Sequence, residues 1–164
     1  MSHIEYTAKV HATAEAAWSA IADFQNVHRY HPIVERVTQV SQDDRGLGAV
    51  RVCHFYDGGS VKETITAWKE GESFDVELTE GSMPFKQSRA TMRVVAFDEQ
   101  NSCVTLSMDY ETKFGPVGKL LDRFMIRSKM SAMFAKVLNG FEYHLETGQL
   151  VGPEGAPESD RSGP

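Results

Sequence analysis

Glu63 is the residue with the most chemistry to offer. It stands in SVKETITAWK, where alternation puts Val61, Glu63, Ile65 and Ala67 on one face and Lys62, Thr64, Thr66 and Trp68 on the other. A carboxylate on the apolar face needs a partner, because an unpaired charge out of water is far costlier than a lost hydrogen bond. The preceding run, GLGAVRVCHFY, offers two partners, and the turn between the runs decides which one is met. A two-residue turn at Gly58-Gly59 sets His54 opposite Glu63 and Tyr56 opposite Val61. A carboxylate-oriented histidine could then abstract a proton beside a ketone, with the tyrosine bonding the developing enolate oxygen. A three-residue turn, Asp57-Gly58-Gly59, flips the faces and puts Arg51, Cys53 and Phe55 on the side of Glu63. That pair would be either a structural ion pair or a polar anchor for a ligand carbonyl or carboxylate. Alternation favours the first register, since Val50 and Val52 then point inward.

Other chemistries find little support. His28-x-x-His31 has a spacing that could suit a metal, but no third carboxylate or thiolate is evident beside it, so it reads as a rim pair with no metal and no cofactor. No G-x-S-x-G elbow and no phosphate-cradling glycine loop occurs. The two cysteines, Cys53 and Cys103, lack a CxxC spacing and read as reduced packing residues. Across 164 residues the formal charge is -6, and no Lys/Arg cluster stands out, which argues against a nucleic-acid footprint. No apolar run is long enough to span a membrane, and the N-terminus MSHIEYTAKV lacks the basic and apolar regions of a leader, so a cytoplasmic protein is expected.

The elements that must position these groups follow from periodicity. His3 to His11 alternates as a half-buried strand. Thr13 can cap the helix in TAEAAWSAIADF, and a second short helix is expected before Pro32. Six more strands are expected at 33–41, 47–56, 60–69, 73–79, 87–98 and 102–112, joined by short turns that suit an antiparallel meander. Gly115 to Thr147 then reads as one long helix, with Pro116 in its first turn and Gly148 as its stop. Ile126, Met130, Met133, Val137 and Phe141 recur at spacings of three and four, and Leu120, Leu121, Phe134, Leu138 and Leu145 widen the stripe. Lys119, Asp122, Arg123, Lys129 and Lys136 fall opposite. Residues 1–147 are thus read as one domain and 148–164, rich in Gly, Pro and charge, as a disordered tail.

This order of elements, with AEAAWSAIADFQNVHRYHPIVERV, GLGAVRV, GGSVKETI, and FGPVGKLL followed by LNGFEYHLE, resembles the START-like (SRPBCC) helix-grip superfamily. The superfamily takes in the birch-pollen allergen, START lipid-transfer domains, plant abscisic-acid receptors and bacterial polyketide cyclase/dehydrase-like proteins. The resemblance implies an α+β fold, a seven-stranded curved antiparallel sheet wrapped around the long C-terminal helix, with two short helices after the first strand. It also implies a hollow for an apolar ligand between sheet and helix. By resemblance to the plant receptors, Glu63 and the Arg of the Gly-x-x-R strand, Arg51, join one polar network at the ligand, which favours the Arg51 register.

The expected function is binding or transport of a small, largely apolar molecule, such as a lipid, isoprenoid, aromatic or polyketide-like compound, by a monomer or homodimer. The alternative is a cyclase/dehydrase-type enzyme using Glu63 with His54 or Tyr56. Candidate ligand contacts are Arg51 and Glu63 at the polar end and Phe24, Tyr30, Met83 and Phe85 at the mouth. Met108 and Tyr110 on the last strand, and Met130, Met133, Phe134 and Val137 on the long helix, would complete the wall. Ser82-Met83-Pro84-Phe85 reads as a lid, because Met and Phe in a turn should cover something. Leu120, Leu121, Phe141 and Leu145 are expected to anchor the helix at its ends.

Overall fold

Alternating strands and short polar turns build a single seven-stranded antiparallel sheet in the computed structural model, which describes residues 1–156. The strands are β1 (Ser2–Val10), β2 (Val34–Gln39), β3 (Val50–Phe55), β4 (Ser60–Lys69), β5 (Ser73–Thr79), β6 (Phe85–Ala96) and β7 (Ser102–Thr112). Their spatial order is β1-β7-β6-β5-β4-β3-β2, so β2 to β7 form the expected meander and β1 closes onto β7. Helix α1 (Ala14–Ala22) and a 3₁₀ segment (Phe24–Arg29) follow β1. Thr13 caps α1, its hydroxyl accepting from the Ala16 N–H at 3.1 Å. This is the helix-grip architecture anticipated above.

The β3–β4 register differs from both hairpins considered from sequence. Arg51 pairs directly with Glu63, and the Phe55 N–H donates to the Gly59 carbonyl at 2.8 Å, closing the turn over Tyr56-Asp57-Gly58. Odd-numbered residues on both strands therefore face inward: Arg51, Cys53 and Phe55 beside Val61, Glu63 and Ile65. His54 and Tyr56 face outward. The glycine pair is thus not the turn itself: Gly58, at φ 90, takes the left-handed position, and Gly59 already pairs. A bulge between Ile65 and Ala67 then reverses the expected faces at the end of β4. Trp68 turns inward, 5.1 Å from Trp18 and stacked 5.7 Å from Phe74.

The C-terminal helix runs as α2 (Gly115–Leu121), a π turn (Asp122–Ile126) and α3 (Arg127–Thr147). It stops at Gly148, in the left-handed conformation at φ 69, whose N–H donates to the His144 carbonyl. Met130, Phe134, Val137, Leu138 and Phe141 are buried against the sheet and the 3₁₀ segment. Gly140 permits the closest approach, because a Cβ there would run into the Tyr30 carbonyl oxygen. Two expectations are corrected. Leu120 and Leu121 do not anchor the helix, being 60% and 40% exposed, since the chain there has passed the edge of what the sheet covers. Asp122, placed on the solvent side by periodicity, is buried. After the helix, Val151 is buried against Gly140, and its N–H donates to the Arg29 carbonyl at 2.9 Å. The remainder of the expected disordered tail, residues 157–164, lies outside the described residues.

Candidate functional site

Between the inner face of the sheet and α3 lies a cavity of about 100 Å³. Its wall is largely aliphatic and thioether. Five of the seven methionines line it, Met83, Met92, Met108, Met130 and Met133, and such unbranched side chains reshape at little cost. Phe134 and Val137 complete the α3 side. The void is smaller than the ~150 Å³ that admits benzene, so a larger guest requires those methionines to move.

Polar groups gather at one place in this wall. The Arg51 Nε–H donates to Glu63 Oε2 at 2.6 Å, and a second guanidinium nitrogen meets the same oxygen. Both side chains are close to fully buried, 7% and 13% exposed, so each is the other's necessary partner inside the protein. Burial works against the arginine charge, but the Glu63 carboxylate, with smaller contributions from Cys53 and Tyr30, outweighs it and holds the Arg51 pKa above its ordinary value. Phe24 does not line the cavity; it positions Arg51. The guanidinium lies 3.8 Å from its ring centroid, and Nη1 donates to its carbonyl. Burial pushes the Cys53 thiol up to about 12, with the Glu63 carboxylate adding to the effect, so Cys53 stays a neutral packing thiol. Burial likewise raises Tyr30, whose ring packs on Phe141 at 5.1 Å. Its hydroxyl makes no hydrogen bond among the described residues, leaving a donor and acceptor at the cavity edge.

His31 is the site residue that sequence reasoning missed. It lines the cavity, with Ile33 N–H donating to its Nδ1 at 3.3 Å. Burial, helped by the Arg51 charge, pushes it down to about 3, so it is a neutral imidazole at ordinary pH. The signal available was the sequence Tyr30-His31-Pro32, where a proline fixes the residue before it as extended chain turning back to the sheet.

Of the candidates named from sequence, the structure brings Arg51, Glu63, Tyr30, Met83, Met108, Met130, Met133, Phe134 and Val137 to one cavity. It does not bring His54 or Tyr56 to Glu63. His54 bonds Thr38 Oγ1 at 2.9 Å on the outer face, and Tyr56 is 43% exposed in the turn, because the register puts even-numbered β3 residues outside. Tyr110 is also displaced from the cavity: its hydroxyl donates to the Asp122 carboxylate, and burial pushes it up to about 12 with that carboxylate assisting. Phe85 packs on Tyr110 at 4.9 Å and lines a second recess of about 260 Å³ with Lys86 and Lys113. Val61, Leu78 and Met83 belong to both spaces, so Met83 stands on the partition. Among the described residues no cluster of three or more His, Cys, Asp or Glu could hold a metal ion.

The family model described as polyketide cyclase / dehydrase and lipid transport matches residues 1–146. A search of curated proteins returns no match. Solved structures share the fold. A START superfamily protein from Mycobacterium smegmatis is similar at 18% identity and TM-score 0.71, covering 90% of this chain and 99% of that one. An aromatase/cyclase from a Streptomyces species is similar at 17% identity and TM-score 0.68, with 92% and 99% covered. Norcoclaurine synthase from Thalictrum flavum, solved with dopamine and hydroxybenzaldehyde, is similar at 18% identity and TM-score 0.65, with 89% and 87% covered.

Proposed function

Because the chain belongs to the polyketide cyclase / dehydrase and lipid transport family, we propose that it binds a small, largely apolar molecule between sheet and helix, with Arg51, Glu63, Tyr30 and His31 meeting its polar end. The observation that carries this reading is an apolar, methionine-walled cavity with a buried ion pair and an unbonded tyrosine hydroxyl in its wall. A solid core would have closed over such groups, since an empty space lined by apolar atoms forfeits contacts on every side. Arg51 acts as a fixed donor: its charge is held by Glu63, so a ligand carbonyl can be bonded without unpairing the glutamate. Met83, on the partition with the outer recess, is the gate.

Proton transfer has weaker support, since neither His54 nor Tyr56 reaches Glu63 and the carboxylate already answers a guanidinium. Native mass spectrometry of freshly purified protein, followed by organic extraction, is expected to show a bound small apolar molecule. Titration with anilinonaphthalene sulfonate is expected to report the emptied cavity. Met133→Trp, which fills the space, should abolish both signals, and Tyr30→Phe should weaken binding roughly fivefold, one hydrogen bond's worth. Protein that carries nothing, and takes up no dye that Met133→Trp can exclude, would sink the reading.

A further inference from the structure

The first half of the C-terminal helix is left uncovered on its outer side. Phe114, Val117, Leu120 and Phe124 are all at least 60% exposed, and Leu121 and Met125 lie beside them at 40% and 47%. Their spacings of three and four put them on one continuous ridge of α2 and the π turn. Isolated exposed apolar residues need no explanation, but six in twelve positions do.

Within residues 113–129 the exposed charges have one sign. Lys119, Arg123 and Arg127 follow at intervals of four along its flank, with Lys113 before it and Lys129 after it, all exposed. The single acid of the segment, Asp122, is turned inward, where Tyr110 and Ser2 donate to it and Arg127 Nε lies 4.0 Å away. Lys113, Lys119, Arg123 and Lys129 form no salt bridge among the described residues. The whole chain has a formal charge of -6, so this concentration of cations is local and opposes the average.

We propose that α2 and the π turn form a docking face for an anionic lipid bilayer surface, the ridge entering the interface and the flanking cations meeting headgroup phosphates. The inference stands apart from the cavity reading and needs no ligand. A large apolar stripe beside a basic one is the pattern of helices that lie in a membrane interface. A second copy of the chain is disfavoured, because like ridges meeting would also bring like cations together. Among the described residues no helix is long and apolar enough to cross a membrane, and the contact proposed is a peripheral one. The face lies beside the outer recess: Lys113 lines that recess, and its N–H donates to the Pro84 carbonyl in the Met83 loop at 3.1 Å.

Co-sedimentation of the full chain with phosphatidylcholine vesicles, with and without added phosphatidylglycerol, tests this. Binding is expected only to the anionic vesicles and should fall with added salt. Lys119→Ala with Arg123→Ala should weaken it roughly 25-fold, at about fivefold per cation. Leu120→Glu with Phe124→Glu should remove it while circular dichroism and thermal unfolding stay unchanged, and Val95→Glu, a change at an exposed residue of β6, should leave it intact. Equal binding to neutral vesicles, no binding by the native chain, or indifference to both double variants overturns the proposal. So does dimerisation that Phe124→Glu abolishes in a protein that ignores vesicles, which would assign the ridge to a second copy.

Discussion

The two halves of the C-terminal helix are built from the same kinds of residue and meet opposite surroundings. In α3, Met130, Phe134, Val137 and Phe141 are buried, and the first three form one wall of the cavity. In α2 and the π turn, Val117, Leu120 and Phe124 repeat at the same spacings and point away from the protein. The first half is tied to the sheet by small and polar contacts, Gly118 beside Thr112 and Asp122 under Tyr110 and Ser2, whereas the second is held by apolar area. Periodicity reports that a helix has an apolar side; it does not report whether anything stands opposite. The difference is supplied by the sheet, which reaches α3 and leaves the outer side of α2 bare.

The widest separation between the halves should appear on truncating one phenylalanine in each. Phe141→Ala is expected to cost about 3–5 kcal/mol in urea unfolding, since it removes a fully buried ring that Tyr30 packs against. Phe124→Ala should stay within about 0.5 kcal/mol, as its ring is 70% exposed. Comparable losses at both would mean the ridge is covered in solution. A smaller effect is expected where the first half is fastened. Asp122→Ala leaves the Tyr110 hydroxyl without its acceptor and should cost about 1–3 kcal/mol, with amide exchange rising in 115–126 before it rises in α3. Uniform exchange along the whole helix would show that it opens as one unit. At Gly140 in the second half, Ala would gain helix propensity of about 1 kcal/mol. Its Cβ nevertheless meets the Tyr30 carbonyl, so Gly140→Ala should be net destabilising by about 1–3 kcal/mol.

Much of the fold was legible because each strand carries its own period and each turn its own chemistry. The runs 60–69, 73–79 and 102–112 match the observed strands residue for residue, and Thr13 and Gly148 end their helices as their types require. The cavity wall was less legible. Arg51 beside Glu63 was one of two readings, and the pairing that forms is a third register with the same face parity. Turn length alone could not distinguish them, because Gly58 and Gly59 suit several hairpins. The bulge after Ile65, which brings Trp68 inside, has no local signal in the sequence. Asp122 reads as a solvent residue until Tyr110, twelve positions earlier, supplies a donor. His31 reads as a rim histidine until burial removes its water.

That last residue yields the most delicate prediction on the α3 side, because its burial links stability to pH. His31 faces the cavity that α3 walls and is held to about 3, against 6.5 in the unfolded chain. Between these values the unfolded chain takes up a proton that the folded one refuses. Stability from this group is therefore complete above 6.5 and drains as pH falls toward 3, by at most about 1.4 kcal/mol per pH unit. His31→Gln should flatten the acid limb of the stability curve by up to one proton. An unaltered acid limb in His31→Gln would place the imidazole in water and the cavity open on that side.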